Sequence, residues 1–295
     1  MTTIEDRIRA LSCWTGAIDI APLSGGLSNA NFLVADPAGR HVVRFGRDYP
    51  FHHVDRGREA MTAAAAHRAG FAPRVEHAAP GVLVTQYLGA KTCDAADIRT
   101  DRARIAAFIR SFHGTMPKFV SGPGFMFWPF HVVRDYARTL DSGRSRMAAR
   151  LPQFMALADE MEAAQAPMPI VFGHNDLLPA NVLDDGERLW LIDFEYAGFS
   201  TGMFDLAGMA SNAGFDAAQS EALLADYFGT PPTQEFMRAH AAMSVASLLR
   251  ETMWSLVSEL HLNAPGVDYA AYTADNLARF DAALASYRST YGTPG

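Results

Sequence analysis

The stretch "VFGHNDLLPANVLDDGERLWLIDFEYAG", residues 171–198, decides the fold because it sets polar side chains within apolar, strand-like sequence. Residues 184–187, "DDGE", are good turn formers, so the apolar runs on either side are expected to pair as a β-hairpin. Four further polar side chains lie outside this turn and beside apolar residues: His174, Asp176, Asn181 and Asp193. Polar groups held against a core are costly unless a partner satisfies them. The pattern therefore indicates a ligand site, and an ordinary surface turn is the alternative.

Two of these side chains fall at the same end of the predicted hairpin. If its arms are residues 181–183 and 189–191, Asn181 lies opposite about Leu191 and Asp193 follows two residues further on. Because a strand rises only ~3.3 Å per residue, both side chains end close together. A carboxylate and an amide oxygen suit Mg²⁺, which completes its octahedron with water and substrate phosphates. Zinc would require more His or Cys ligands.

The loop that precedes the hairpin supplies a candidate general base. Asp176 lies five residues before Asn181, so it can project beside the metal without being committed to it. His174 is expected to brace this loop by hydrogen bonding rather than to bind metal. The spacing His-x-Asp-x-x-x-x-Asn, followed by Asp-Phe-Glu, matches the template for phosphoryl transfer. In that template the first Asp receives the substrate hydroxyl proton, while the Asn and the later Asp hold Mg²⁺.

The surrounding chain divides into two regions of different periodicity. Residues 1–89 read mostly as strands, with one alanine-rich helix over about residues 56–68. Helical periodicity dominates residues 90–295, and only residues 171–196 interrupt it with strands. We therefore predict an α+β fold with a nucleotide-binding lobe at 1–89 and a catalytic and acceptor-binding lobe at 90–295. The sequence "TQYLGAKT" is the candidate hinge, and pockets favour such clefts.

Composition excludes several classes of protein. The chain has 295 residues, is 49% hydrophobic, and carries 25 basic and 32 acidic side chains, a net charge of 25 − 32 = −7. Without a block of Lys or Arg, nucleic acid is not an expected partner. Cys13 and Cys93 have no metal-ligand spacing and are too few for a disulfide framework, which indicates a reducing compartment. Since no apolar leader and no run of about 18 apolar residues is found, we expect a cytoplasmic protein without a membrane partner.

The core motif resembles that of a known family. "HNDLLPANVL...LIDFEYAG", with "FDLAGMASNAGFD" after it, is similar to the choline/ethanolamine kinases, within the aminoglycoside-phosphotransferase-like small-molecule kinases. "LSGGLSNANFLV" resembles their phosphate loop, and "RETMWSLVSELHL" resembles their Trp-bearing C-terminal helix. The resemblance runs from about Leu23 to Phe280. It implies a protein-kinase-like bilobal fold, with a small antiparallel β-sheet lobe and a mainly helical lobe, and ATP as the co-substrate.

The candidate nucleotide site lies in the first lobe. The loop "SGGLSN" falls between two predicted strands, where glycines let the backbone approach phosphates and a serine adds a hydroxyl. A Gly-Gly hairpin turn is the alternative. Its predicted nucleotide-binding residues are Gly25, Gly26, Ser28 and Asn29. In "HVVRFG", Arg44 occupies the strand position where kinases usually place a Lys, and Glu59 on the next helix is its expected partner. A surface Arg on an edge strand is the other interpretation.

The resemblance also suggests an acceptor pocket. It implies that Trp254 belongs to an aromatic wall that receives a quaternary ammonium group by cation–π attraction, whereas a core Trp is the equal alternative. Tyr196 is tied to the metal hairpin, and Glu195 either orients the acceptor or completes a polar network. Eukaryotic choline kinases carry an acidic residue followed by Trp where this chain has Asn212 and Ala213. An Asn does not neutralise a buried cation, which argues against choline itself.

These observations predict ATP- and Mg²⁺-dependent phosphorylation of a small hydroxyl compound, most simply choline or a related amino alcohol. A kinase for an aminoglycoside or thiamine is one alternative, and a nucleotide-binding pseudokinase is another. A metal-dependent hydrolase is disfavoured by the single nearby His. Asp205 is expected to support the catalytic loop, while Arg250 and Glu251 form either an exposed pair or a polar contact that reaches the cleft. The sequence does not fix the oligomeric state.

Overall fold

The computed structural model of the protein describes residues 3–23, 29–264 and 266–292. Its N-terminal part contains an antiparallel sheet formed by β1 (Asp19–Leu23), β2 (Ala30–Asp36), β3 (Gly39–Phe45), β4 (Val75–Ala79) and β5 (Val82–Gln86). The spatial order is β1-β2-β3-β5-β4. The short helix α1 (Ile4–Arg9) packs Ile8 against this sheet.

Turn chemistry and alternating burial explain the sheet. Asp36 ends β2, and its Oδ1 accepts hydrogen bonds from the backbone N–H groups of Ala38 (2.8 Å) and Gly39 (3.0 Å), which closes the turn into β3. The β4–β5 turn contains Gly81 at φ 78°, a left-handed conformation that favours glycine. Along β3 every second side chain is buried, so Val43 joins the small core of the sheet.

Helix α2 (Arg56–Arg68) joins the sheet to the rest of the molecule. It begins at Asp55, whose side chain accepts the N–H of Arg58 and caps the first turn. Its buried Ala65 and Ala66 belong to the large hydrophobic core of the helical region rather than to the core of the sheet. The predicted span of this helix is confirmed to the residue.

The C-terminal region is mainly helical, as predicted. Its helices are α3 (Ala95–Thr100), α4 (Arg102–Thr115), α5 (Pro129–Ser142), α6 (Leu151–Ala163), α7 (Gly202–Ala213), α8 (Ala217–Phe228), α9 (Gln234–His261) and α10 (Tyr269–Tyr291). Helix α9 is the centre of this region, because it packs against α5, α6, α7 and α10. None of the helices within the described ranges combines the length and apolar character that crossing a bilayer requires.

Short strands carry the motif region. They are β6 (Lys91–Thr92), β7 (Ile170–Gly173), β8 (Val182–Asp184), β9 (Leu189–Leu191) and β10 (Gly198–Thr201). Strand β7 pairs with β10, and β8 lies between β6 and β9. The predicted β8–β9 hairpin is confirmed, and the boundary between residues 89 and 90 stays a prediction.

One detail of the hairpin was predicted wrongly. Val182, rather than Asn181, lies opposite Leu191, so the register is shifted by one residue. The cause is Pro179, which starts a 3₁₀ turn over Pro179–Asn181 and delays the strand until Val182. Asn181 still bonds across the hairpin, since its carbonyl accepts the N–H of Ile192, the residue after β9, at 3.1 Å. Asp193 therefore follows directly after the residue that pairs with Asn181.

Candidate active site

The loop after β7 is held by hydrogen bonds to Asp205, the acidic residue in the first turn of α7. The Asp205 carboxylate accepts the backbone N–H groups of His174 (2.8 Å) and Asn175 (2.7 Å), and Nε2 of His113 lies 2.8 Å from Oδ2. Burial raises the pKa of Asp205, but the hydrogen bond and charge of His113 outweigh it and hold the pKa below its usual value. A buried, ionised carboxylate thus fixes the backbone of this loop.

His174 connects the same loop to the end of the β8–β9 hairpin. Its Nε2 lies 2.9 Å from the carbonyl oxygen of Ile192, the residue before Asp193. Burial lowers the pKa of the imidazole, which favours the neutral ring. His174 therefore connects two backbone segments by a hydrogen bond, and its predicted role in the site stays a prediction. Within the ranges that the structure describes, no three His, Cys, Asp or Glu side chains form a metal-binding cluster.

Asp176 projects from the top of this loop. Its side chain is 18% exposed, and burial raises its pKa well above the usual range, while Arg250 opposes that shift and Glu251 adds to it. The amide nitrogen of Asn181 donates to the Asp176 backbone oxygen at 2.9 Å, which leaves the Asn181 amide oxygen as an acceptor. The loop therefore presents a carboxylate of raised pKa beside an amide oxygen.

A buried arginine faces Asp176 from α9. Arg250 Nη2 lies 3.8 Å from Asp176 Oδ1, and Nη1 donates to Glu251 Oε2 at 2.7 Å. Glu251 also accepts the hydroxyl of Tyr272 at 2.8 Å through its other oxygen. Since the Arg250 side chain is almost fully buried, the pair is a contact within the cleft and not an exposed helical pair.

Asp193 lies between β9 and the rest of the motif, in the left-handed region at φ 68°, where Asp is tolerated. Arg44 Nη1 donates to its Oδ1 at 2.6 Å, and the same guanidinium pairs with Glu59, the predicted partner. Burial raises the pKa of Asp193, but Arg44 outweighs it and lowers the pKa overall. An ionised carboxylate and the amide oxygen of Asn181 form an all-oxygen donor set that fits Mg²⁺.

Arg56 is a site residue that sequence reasoning missed. From the first residue of α2, its guanidinium donates to Glu59 (2.7 Å), Glu195 (2.9 Å) and Asn29 Oδ1 (2.9 Å). The signal that could have found it is its position three residues before Glu59 on the same helix face. Glu195 thus completes a polar network, one of its two predicted roles. Burial and the neighbouring charge of Asp193 raise the pKa of Glu195.

Of the predicted phosphate loop, only Asn29 belongs to the described residues. Gly25, Gly26 and Ser28 lie outside them, so their nucleotide-binding role stays a prediction. Asn29 directly precedes β2, and its side-chain oxygen accepts the bond from Arg56.

The two aromatic residues predicted for the acceptor site, Trp254 and Tyr196, contact each other in the structure. Trp254 Nε1 donates to the hydroxyl of Tyr196 at 2.8 Å, and the indole is only 7% exposed. One indole face stacks on His52, with ring centroids 4.8 Å apart at an angle of 21°. The Arg250 guanidinium carbon lies 5.1 Å from the Tyr196 ring centroid. Burial, followed by the charge of Arg250, lowers the pKa of His52 to about 2, so this ring is neutral.

A narrow pocket that opens to solvent adjoins Asp176. Its polar wall includes Asp176, Asn212, Ser247, Arg250, Glu251, Tyr272 and Arg279. Arg279, on α10, donates to Asn212 Oδ1 at 3.0 Å. Asn212 and Arg279 both line this pocket, so the chain has an amide and a cation here. Sequence reasoning missed Tyr272 and Arg279, for which no local signal exists.

Comparisons with known proteins identify the family of the chain. Residues 19–240 match APH, the phosphotransferase enzyme family. The chain is 26% identical over 273 residues to Protein LicA of Haemophilus influenzae, an alignment that covers 88% of this chain and 77% of that protein.

Two solved structures give the same result at the level of the fold. A choline/ethanolamine kinase family protein from Mesorhizobium loti is 29% identical, with a TM-score of 0.75 over 98% of this chain and 100% of that one. The choline kinase LicA from Streptococcus pneumoniae is 21% identical, with a TM-score of 0.77 over 97% and 98% of the two chains. The predicted family resemblance and the predicted protein-kinase-like α+β fold are confirmed.

Proposed function

This chain is an ATP-dependent kinase that belongs to the phosphotransferase enzyme family, and we propose that it phosphorylates the hydroxyl of a small amino alcohol with Asp176 as general base. The observation that carries the proposal is the position of the Asp176 carboxylate. Asp176 lines a polar pocket, and its backbone oxygen accepts the side-chain amide of Asn181, which ties the base to the segment of the proposed metal ligands. An acceptor in the pocket would meet the base and the nucleotide at this junction.

The reaction follows from that placement. Asp176 takes the proton of the acceptor hydroxyl, and the resulting oxygen forms a bond to the γ-phosphorus of ATP. The bond from that phosphorus to the bridging oxygen breaks, so ADP leaves and the proton stays on the carboxylate. A base of raised pKa suits this step, because general bases work best when their pKa approaches the working pH. Arg250, with Nη2 3.8 Å from Oδ1, favours the ionised carboxylate by its charge.

Asn181 and Asp193 would hold Mg²⁺ through oxygen atoms, and the ion would neutralise charge on the phosphates. Arg44 lies against Asp193 and provides a cation on the phosphate side of the cleft. As a fork-shaped donor, Arg can bind Glu59 and a phosphate oxygen together, which a Lys does less well. We expect ATP to be bound by these residues and by the predicted loop at 25–29.

For the acceptor we propose choline or ethanolamine first, since the Mesorhizobium loti relative is named for that family. Glu251 and the hydroxyl of Tyr272 offer a site for an ammonium group close to the base. Arg279 in the pocket wall works against a bulky cation, as does the absence of an acid at residue 212. Thiamine and the aminoglycosides are bulky cations as well, so this argument does not favour them over choline, and both are retained as alternative acceptors for the activity test to decide.

The test is acceptor-dependent ADP release over choline, ethanolamine, serine, thiamine, several aminoglycosides and simple sugars, with mass spectrometry of the products. A phosphorylated amino alcohol formed at the highest kcat/KM supports the proposal. If thiamine or an aminoglycoside is preferred, the proposed acceptor is wrong, but the proposed phosphoryl transfer with Asp176 as base stands. ATP binding without turnover on any acceptor would identify a pseudokinase and overturn the role of Asp176.

Replacement of Asp193 by Ala is expected to weaken Mg²⁺-ATP binding as well as to lower kcat. The substitution removes the only full negative charge of the proposed metal site and releases one of the two carboxylates that hold Arg44. Titration calorimetry with ATP, with and without Mg²⁺, checks this expectation. The metal-dependent part of the affinity should be lost, and an unchanged affinity would show that Asp193 is not a ligand.

If the Trp254 indole contacts the cation of the acceptor, Trp254→Leu should lower choline kcat/KM between about twofold and thirtyfold. The indole is buried, stacks on His52 and is not among the residues that line the pocket beside Asp176, which favours the packing role. A cation–π contact contributes ~0.5–2 kcal/mol, and 1.36 kcal/mol corresponds to tenfold in rate. Trp254→Phe keeps an aromatic face while also losing the hydrogen bond to Tyr196, so it serves as the matched control. A neutral isostere of choline, with carbon in place of nitrogen, should respond little. Equal losses for choline and the isostere would make Trp254 a packing residue only.

A further inference from the structure

Arg56 connects three segments that meet at the nucleotide side of the cleft. Nη1 donates to Glu59 Oε2 at 2.7 Å and to Glu195 Oε2 at 2.9 Å, while Nη2 donates to Asn29 Oδ1 at 2.9 Å. Nε donates to the carbonyl of Arg47 at 3.1 Å. With 11% of the side chain exposed, these bonds are mostly shielded from water. All three guanidinium nitrogens are thus engaged.

The segments joined by Arg56 are the ones that carry predicted roles in binding ATP. Asn29 lies where the predicted phosphate loop enters β2, and Glu59 is the partner of Arg44. Glu195 lies two residues after the proposed metal ligand Asp193. Glu59 is shared, because one of its oxygens pairs with Arg44 and the other with Arg56. The two arginines therefore form one network with three carboxylates, and its formal charge is negative before ATP binds.

The chain makes room for this contact at Gly46. A Cβ atom there would lie 2.6 Å from Asn29 Oδ1 and 2.9 Å from Arg56 Nε, closer than side chains tolerate. The backbone of Gly46 is not in the left-handed region, so a side chain there would displace the ends of Asn29 and Arg56 rather than strain the φ angle. Gly46 therefore offers a way to disturb the contact between Arg56 and Asn29 without replacing either residue.

We propose that Arg56 is a positioning residue for nucleotide binding. Its planar guanidinium fixes Asn29, Glu59 and Glu195 relative to one another, and so aligns the start of β2 with the Asp193 segment. A Lys supplies a single point charge and cannot bridge acceptors on three segments with a fixed fork. A positive charge at residue 56 is therefore not enough to hold these acceptors in place, and the fork-shaped guanidinium is required. The inference rests on the assignment of this cleft as the ATP site, but it does not depend on which acceptor is used.

The test combines Arg56→Lys, Arg56→Gln, Asn29→Ala and the double variant Arg56→Gln with Asn29→Ala. ADP and Mg²⁺-ATP binding are measured by titration calorimetry without acceptor, alongside thermal unfolding. Arg47→Gln is the matched control, because that exposed neighbour contributes only its backbone carbonyl to the network. Gly46→Ala is included as a variant that leaves Arg56 in place but crowds its contact with Asn29.

Both Arg56 variants are expected to weaken Mg²⁺-ATP binding about 10- to 100-fold, the usual effect of losing a group that orients a metal site. Gly46→Ala should also weaken Mg²⁺-ATP binding, and Arg47→Gln should bind Mg²⁺-ATP as tightly as the wild type. The effects of Arg56→Gln and Asn29→Ala should be clearly less than additive, because each removes the same contact.

Three results would overturn the proposal. They are normal nucleotide affinity in Arg56→Gln, full rescue by Lys, or a loss of thermal stability in the Arg56 variants without a change in the dissociation constant. The proposed function fails separately, since a protein that binds Mg²⁺-ATP tightly but phosphorylates no acceptor leaves the role of Arg56 in binding intact.

Discussion

Asp176→Asn lowers kcat by about 10²–10⁴-fold, our largest expected effect, and leaves the dissociation constant for Mg²⁺-ATP almost unchanged. The amide has the shape of the carboxylate but does not accept the hydroxyl proton. Asn181 is bonded to the backbone oxygen of residue 176, so the substitution leaves that contact in place. Arg250 retains Glu251 as its 2.7 Å partner, which limits the structural disturbance.

The pH dependence supplies an independent check on the same residue. A base acts only when deprotonated, and the pKa of Asp176 is raised well above its usual value, chiefly by burial. The kcat of the wild type should therefore fall as the pH decreases through this raised pKa. The small remaining kcat of Asp176→Asn should not show this decrease at acidic pH. Asp141→Asn, at an exposed carboxylate of α5, is the control and should behave as wild type. Near-normal turnover of Asp176→Asn with a confirmed acceptor would exclude the assignment.

Asp205→Ala is expected to lower the free energy of unfolding by about 2–6 kcal/mol, because it leaves two buried backbone N–H groups without an acceptor at about 1–3 kcal/mol each. Those groups belong to His174 and Asn175, the residues just before Asp176. Asp205→Asn keeps one carbonyl oxygen and should lose less, so it remains measurable if the Ala variant does not fold. Chemical denaturation gives the difference from wild type.

The lowered pKa of Asp205 determines how its contribution to the free energy of unfolding changes with pH. Its stabilising contribution is present above the unfolded pKa of about 3.9 and is lost as the pH falls through the lower folded value. The stability gap between wild type and Asp205→Ala should therefore narrow below about pH 4. Asp275→Ala, at an exposed site on α10, should cost little at any pH. Equal stability of Asp205→Ala and wild type at neutral pH would contradict a supporting role for this carboxylate.

Local features of the sequence determined the architecture and the centre of the site. The period of apolar residues, together with turn formers such as Gly81, fixed the strands and the helix at residues 56–68, because these signals act over a few neighbouring residues. The spacing from His174 to Asn181 and on to Asp193 likewise lies within one loop and one hairpin. Even there, the register was missed by one residue, since the effect of Pro179 on the start of β8 is a matter of backbone geometry.

Tertiary structure alone decided which distant residues meet. Arg44 and Asp193 are 149 positions apart, and Arg56 and Glu195 are 139 apart, so no periodicity links them. The pairing of Arg44 with Glu59 was predictable only by analogy with other kinases, and Arg56, with no such precedent, was missed. The same holds for Arg279, which reaches Asn212 across 67 residues. Side-chain contacts between elements depend on how helices and sheet pack, and packing is a property of the whole chain rather than of any segment of it.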